Sequence, residues 1–272
     1  MSKGLSIHIG IKELCIESYK SKAPLSSPEN DARAMANLAS LEGYQNPILL
    51  LNENATRHSF LEILDKTIEK LNEGDTFLLT FSGHGGQIKD EDGDEILSGI
   101  VDANSNMDIQ DETWCFHDGI LKDDEIGQKW SSFKTGVRII VVSASCHSRS
   151  SIKTFDNSLW DNVLIEQPGF RNKTMTFIKS PLVYAYKQDP QIKASIIHIS
   201  ACQDKQESRD GNCFSKFTEI LLKHWDEGRF EGSYIDLVSK IRSESGYLQE
   251  AGLTTLGVNN PDFINSKPFK IN

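Results

Sequence analysis

Thr76-Phe77-Leu78-Leu79-Thr80-Phe81 runs directly into Ser82-Gly83-His84-Gly85-Gly86. The apolar residues form a continuous block with no helical period, as expected of a strand buried on both faces of a parallel sheet. A second block, Val137–Val142 (VRIIVV), has the same character and runs into Ser143-Ala144-Ser145-Cys146-His147-Ser148. Leu5–Ile11, Pro47–Leu51 and Ile196–Ser200 read as further strands. Helical stripes are predicted over Asn30–Leu41, with Asn30 or Asp31 near its cap, and over His58–Leu71, capped by Thr56 or Asn54. Asp123–Trp130, Phe214–Trp225 and Tyr234–Ser243 also read as helices. Alternating strands and helices predict an α/β fold with three layers, α/β/α, around a mostly parallel central sheet of about six strands. A single domain over residues 1–272 is expected.

The chain has 272 residues, enough to bury a full core without disulfide or metal staples. Lys+Arg number 29 against 39 Asp+Glu, a net charge of -10. That balance argues against nucleic acid, which needs a basic face, and admits a cationic partner such as a basic peptide or a divalent metal. No apolar run approaches the ~18 residues of a membrane span, and the N-terminus lacks a signal peptide's apolar stretch, so a cytoplasmic protein is expected. Five cysteines occur, with no CxxC spacing, which points away from a disulfide framework or a zinc site. Four of them, Cys15, Cys115, Cys202 and Cys213, read as small buried hydrophobes. Two stretches read as irregular, Lys89–Gly119 and Ser148–Pro190; the second, directly after Cys146, is expected to be a mobile loop.

Ligands bind at the carboxyl ends of strands in a parallel sheet. If the two apolar strands are parallel neighbours, His84 and Cys146 project from the same edge. An imidazole there takes the thiol proton, and the thiolate attacks a carbonyl. Backbone N–H groups of Gly85 and Cys146 are candidate oxyanion donors. The bland alternatives are a glycine turn carrying an incidental histidine, and a buried structural cysteine. His147 is the competing base, but adjacent residues on an extended chain point to opposite sides. A nucleotide-binding domain is a poorer reading, because Gly83–Gly86 forms no phosphate loop.

A strand ending in Ser-Gly-His-Gly-Gly-Gln, an acidic Asp-Gly-Asp-Glu segment and a second strand ending in Cys-His-Ser together resemble the caspase-like cysteine peptidases, closest to the metacaspases and their bacterial relatives. Ser6–Ile11, Glu29–Met35, Ser200–Asp204 and Asn260–Phe263 are similar to further parts of that family, so the likeness covers nearly the whole chain. The resemblance implies a cysteine endopeptidase with His84 as general base, Cys146 as nucleophile and Gly85 and Cys146 as oxyanion donors. It implies cleavage after Arg or Lys through an acidic pocket containing Asp31 and Ser82. The second pocket acid of the family is Ala144 here, and the glycine three residues past the nucleophile is Arg149. Those departures leave two alternatives: an altered pseudo-peptidase or regulatory module, and a peptidase with an apolar preference. Many metacaspases need calcium, and Asp102, Asp123 and Asp124 are its candidate ligands. Acids at a helix start are also favoured by the macrodipole alone, and the Asp90–Glu95 run reads as a solvated acidic loop. The stretch 148–190 contains Arg149, Lys153, Arg171, Lys173, Lys179 and Lys187, all cut sites for a basic-specific peptidase, so self-cleavage there is expected. A bacterial stress, cell-death or defence setting would suit a member of such a family.

Overall fold

The computed structural model describes residues 2–15, 18–19, 24–89, 110–145, 184–187, 191–203, 213–245 and 249–271. In chain order its elements are β1 (Gly4–Gly10), α1 (Pro28–Leu41), β2 (Ile48–Leu51), α2 (Arg57–Lys70), β3 (Thr76–Ser82), β4 (Gly85–Lys89), β5 (Gln110–Cys115) and β6 (Ile120–Lys122). They continue with α3 (Asp123–Ser131), β7 (Arg138–Ser145), β8 (Tyr184–Lys187), β9 (Ser195–Gln203), α4 (Lys216–Trp225), α5 (Tyr234–Ser245), β10 (Gln249–Gly257) and α6 (Pro261–Ile264).

The central sheet has the order β2-β1-β3-β7-β9-β10-β8. β2, β1, β3, β7 and β9 are mutually parallel, whereas β10 runs antiparallel to β9 and parallel to β8. Every residue of β3 and β7 is buried, which is why their sequences are unbroken rather than alternating. One face packs Ile7, Ile9, Phe77, Leu79, Ile139 and Val141 against α2 and α3. The other packs Leu78, Ile140, Val142, Ile197 and Ile199 against α1, α4, α5 and α6. The result is the expected three-layer α/β/α arrangement, with seven strands where about six were expected. The two strands not read from sequence are β10 and β8; β8 lies in the stretch read as a loop, and its pairing with β10 makes it a strand.

A second correction concerns Lys89–Gly119. This stretch contributes β5, which with β4 and β6 forms a small antiparallel sheet. Its polar composition hid it, because the hydrogen bonds of an antiparallel ladder need no apolar pattern. Thr56 caps α2 as expected, accepting from the Ser59 amide. α1 begins earlier than predicted, at Pro28 after Ser27, so neither Asn30 nor Asp31 is its cap. Gly10 is required where β1 passes under α1: a Cβ there would come within 2.4 Å of the Pro28 carbonyl oxygen and 2.9 Å of Ala32 Cβ. Of the cysteines read as buried, Cys115 is buried, Cys15 is half-buried and Cys213 is exposed. Among the described residues, no helix is long and apolar enough to cross a membrane.

Candidate active site

β3 and β7 are adjacent and parallel, with Ser82 opposite Ala144. His84 lies two residues beyond Ser82, and in the sequence Cys146 lies two beyond Ala144. β7 is described through Ser145; Cys146, His147 and Arg149 lie outside the described residues. His84 is half-buried, in the short link between β3 and β4. Its carbonyl oxygen accepts the Cys115 amide at 3.0 Å. Gly83 lets the chain pass close to Phe81, since a Cβ there would sit 3.2 Å from the ring. Gly83 has no left-handed backbone angle, and Gly85 and Gly86 enter β4 directly, so the expected sharp glycine turn is instead a close approach followed by a strand.

The expected pocket residues converge. Asp31 is 1% exposed, and its Oδ2 accepts the Ser82 hydroxyl at 2.7 Å. Its Oδ1 accepts the Ser215 backbone N–H at 2.9 Å, at the start of α4. Burial holds the Asp31 carboxyl above its ordinary range, and the hydrogen bonds from Ser215, Ser82 and Thr218 offset only part of that rise. Ser82 and Ala144 are buried neighbours on the sheet face that α1 covers. Ser215 is a residue the sequence reading missed. Its signal is a serine three positions before Thr218 at the head of an apolar stripe, the pattern of an N-cap; its side chain does accept from the Thr218 amide. Asn30 adds a bond from Nδ2 to the Cys213 carbonyl at 2.8 Å, so consecutive residues of α1 hold the entry to α4.

The family model of the Caspase domain matches residues 12–251. This chain belongs to the caspase-domain family. It is 25% identical over 226 residues to Metacaspase-1 of Kluyveromyces lactis, covering 80% of this chain and 50% of that protein. It is 24% identical over 255 residues to Metacaspase-1 of Schizosaccharomyces pombe, covering 78% of this chain and 58% of that protein. The chain thus spans about half the length of these relatives. The crystal structure of protein GSU0716 from Geobacter sulfurreducens superposes with a TM-score of 0.71 at 29% identity, covering 99% of each chain. The family is one of caspase-like cysteine peptidases.

In this caspase domain Asp123 and Asp124 open α3, followed by Glu125. The Asp123 Oδ1 accepts the Asp124 amide at 3.1 Å, and the Glu125 carboxylate accepts the Lys122 amide at 3.2 Å. These bonds serve the helix start. Calcium takes six to eight oxygens, and among the described residues no group of three His, Cys, Asp or Glu side chains gathers to hold a metal. Asp102 and the Asp90–Glu95 run lie outside the described residues.

Two further histidines of the caspase domain are buried in the sheet. His8 Nδ1 is 3.0 Å from Thr80 Oγ1 and its Nε2 is 2.9 Å from Ser6 Oγ. His198 Nε2 is 2.8 Å from Ser143 Oγ. Burial lowers both pKa values from 6.5 to about 3, so both rings are neutral and unsuited to proton transfer near neutrality.

Proposed function

We propose that the chain is a cysteine endopeptidase in which His84 is the general base and Cys146 the nucleophile. The observation that carries this reading is the register of β3 and β7: Ser82 pairs with Ala144, and the histidine and the cysteine each follow two residues later. Equal spacing from paired positions on parallel neighbouring strands supports a shared sheet edge for the two residues, where such folds do their chemistry. His84 takes the thiol proton, and the thiolate adds to the scissile carbonyl carbon. The backbone N–H groups of Gly85 and Cys146 donate to the oxyanion. The imidazolium then protonates the departing amine, leaving an acyl-enzyme. Water, deprotonated by His84, releases the acyl group as a carboxylate and restores the thiol.

The substrate residue before the cut is Arg or Lys, on the strength of the buried Asp31 carboxylate beside Ser82. Ala144 supplies no second acid, and Asp31 already receives two donors. Selectivity for a cation is therefore weaker than two acids would give. A basic-specific peptidase also has candidate sites in its own chain: Arg149, Lys153, Arg171, Lys173 and Lys179, all outside the described residues. Lys187 is the exception in that stretch, because it is paired with Leu256 in the sheet and a strand must leave its ladder to enter a protease.

The test is hydrolysis of a peptide library by wild type, Cys146→Ala and His84→Ala, with and without calcium. Both variants are expected to lose at least about a thousandfold in kcat/KM while melting as the wild type does. Most of the activity surviving in either variant removes the dyad. If folded wild type cleaves nothing and no peptidyl probe labels Cys146, the protein is a binding module built on a peptidase fold.

A further inference from the structure

The small sheet β4-β5-β6 carries no residue of the proposed dyad, yet it touches the His84 link at consecutive positions. Trp114, in β5, is directly opposite Gly85. The next residue, Cys115, donates its backbone N–H to the His84 carbonyl. The Trp114 indole stacks on Phe81 of β3, with ring centroids 4.7 Å apart and planes 6° from parallel. Phe81 in turn contacts Phe116 at 5.8 Å, and Phe116 stacks on Phe60 of α2 at 5.2 Å. Gly83 passes against the edge of the same Phe81 ring. The backbone from Phe81 to Gly85 is thereby held on one side by an aromatic row rooted in α2 and on the other by the β5 strand. Trp114 is the residue common to both holds, being 2% exposed and part of the same core as Phe81.

We propose that Trp114 is a positioning residue for the general base: its ring face, seated on Phe81 opposite Gly85, fixes the His84 link relative to the end of β7. This rests on the proposed role of His84. The indole acts through its face rather than its N–H, because Trp114 Nε1 is buried with no hydrogen-bond partner among the described residues. Phenylalanine therefore replaces it, whereas leucine, of adequate bulk but without a flat face to stack, does not. A base displaced by even about 1 Å loses its hydrogen bond to the thiol, and the thiol reverts toward its ordinary pKa near 8.5.

The experiment compares wild type, Trp114→Phe, Trp114→Leu and Phe81→Leu by two readouts. The first is amide hydrogen exchange at Cys115, with the Ile9 amide in the central sheet as an internal control. The second is the pH profile of Cys146 alkylation by iodoacetamide. Both leucine variants are expected to speed exchange at Cys115 at least about tenfold without changing Ile9, and to move the alkylation midpoint upward by about one pH unit. Trp114→Phe is expected to match wild type in both. Wild-type behaviour of Trp114→Leu, or failure of Trp114→Phe to restore either readout, overturns the proposal. Phe81→Leu supplies the same comparison if Trp114→Leu does not fold. A His84→Ala variant with an unchanged alkylation profile refutes the role of His84 itself; Cys115 exchange still decides whether Trp114 holds the link.

Discussion

Asp31→Asn is the perturbation that separates a charge acting on substrate from a carboxylate that merely holds the fold. In the wild type, Asp31 Oδ1 accepts from the Ser215 amide and Oδ2 accepts from the Ser82 hydroxyl. An asparagine of the same shape keeps its carbonyl oxygen toward Ser215 and turns its NH2 toward Ser82, whose hydroxyl rotates to accept. Both local bonds survive, and only the negative charge is lost. Alanine is the poorer choice, because it strands the Ser215 amide and the Ser82 hydroxyl, each costing about 1–3 kcal/mol. A hydrogen bond from a substrate guanidinium to a carboxylate contributes about 1.5–3 kcal/mol, and each 1.36 kcal/mol is tenfold in rate. Asp31→Asn should thus lower kcat/KM for an Arg peptide by about 10- to 150-fold. A matched Leu peptide should change by less than about threefold. The assay is steady-state hydrolysis of the two peptides, with iodoacetamide alkylation of Cys146 and a thermal melt as controls. An equal fall for both peptides, or a fall below about threefold for Arg, refutes the assignment of Asp31 to substrate recognition. A wild-type preference for Leu refutes it as well.

The remaining predictions concern processing and stability. Wild type aged under activating conditions should be cut between residues 148 and 183, while Cys146→Ala stays one chain; mass spectrometry decides, and intact wild type defeats the expectation. His8 and His198 are neutral in the fold, with pKa values lowered to about 3 from 6.5, so the unfolded chain takes up protons that the fold refuses. Their penalty is absent above about pH 6.5 and grows as pH falls toward 3, costing roughly 3–4 kcal/mol for the pair between pH 7 and pH 5. Urea midpoints measured across that window should fall accordingly, and the slope should lessen in His198→Asn; a flat profile in wild type contradicts both assignments. Gly10→Ala places a methyl against the Pro28 carbonyl and Ala32. It should cost about 1–3 kcal/mol by urea unfolding and weaken Arg-peptide cleavage, because the helix it displaces carries Asp31.

The sequence by itself determined the centre of the sheet. Thr76–Phe81 and Val137–Val142 are too uniformly apolar for a surface element, and strands buried on both faces demand that composition; the structure extends them to Ser82 and Ser145. The glycine-flanked His84 and the Cys146 segment stood out for a related reason, since each is a polar break at the end of a buried run. The helix stripes and the Thr56 cap were legible because their patterns are local, spanning three or four positions.

What only the tertiary structure decided involves partners far apart in the chain. Asp31 meets Ser215 across 184 positions, and no local pattern encodes that hydrogen bond. β5 and β10 contain too many polar residues and glycines to read as strands; the neighbours β4, β6, β8 and β9 make them so by completing their backbone ladders. β10 also runs antiparallel to β9, a direction that no local pattern in its own residues encodes. Periodicity reports how a segment meets its own surroundings, whereas pairing, register and the convergence of side chains are set by the segments it finally packs against.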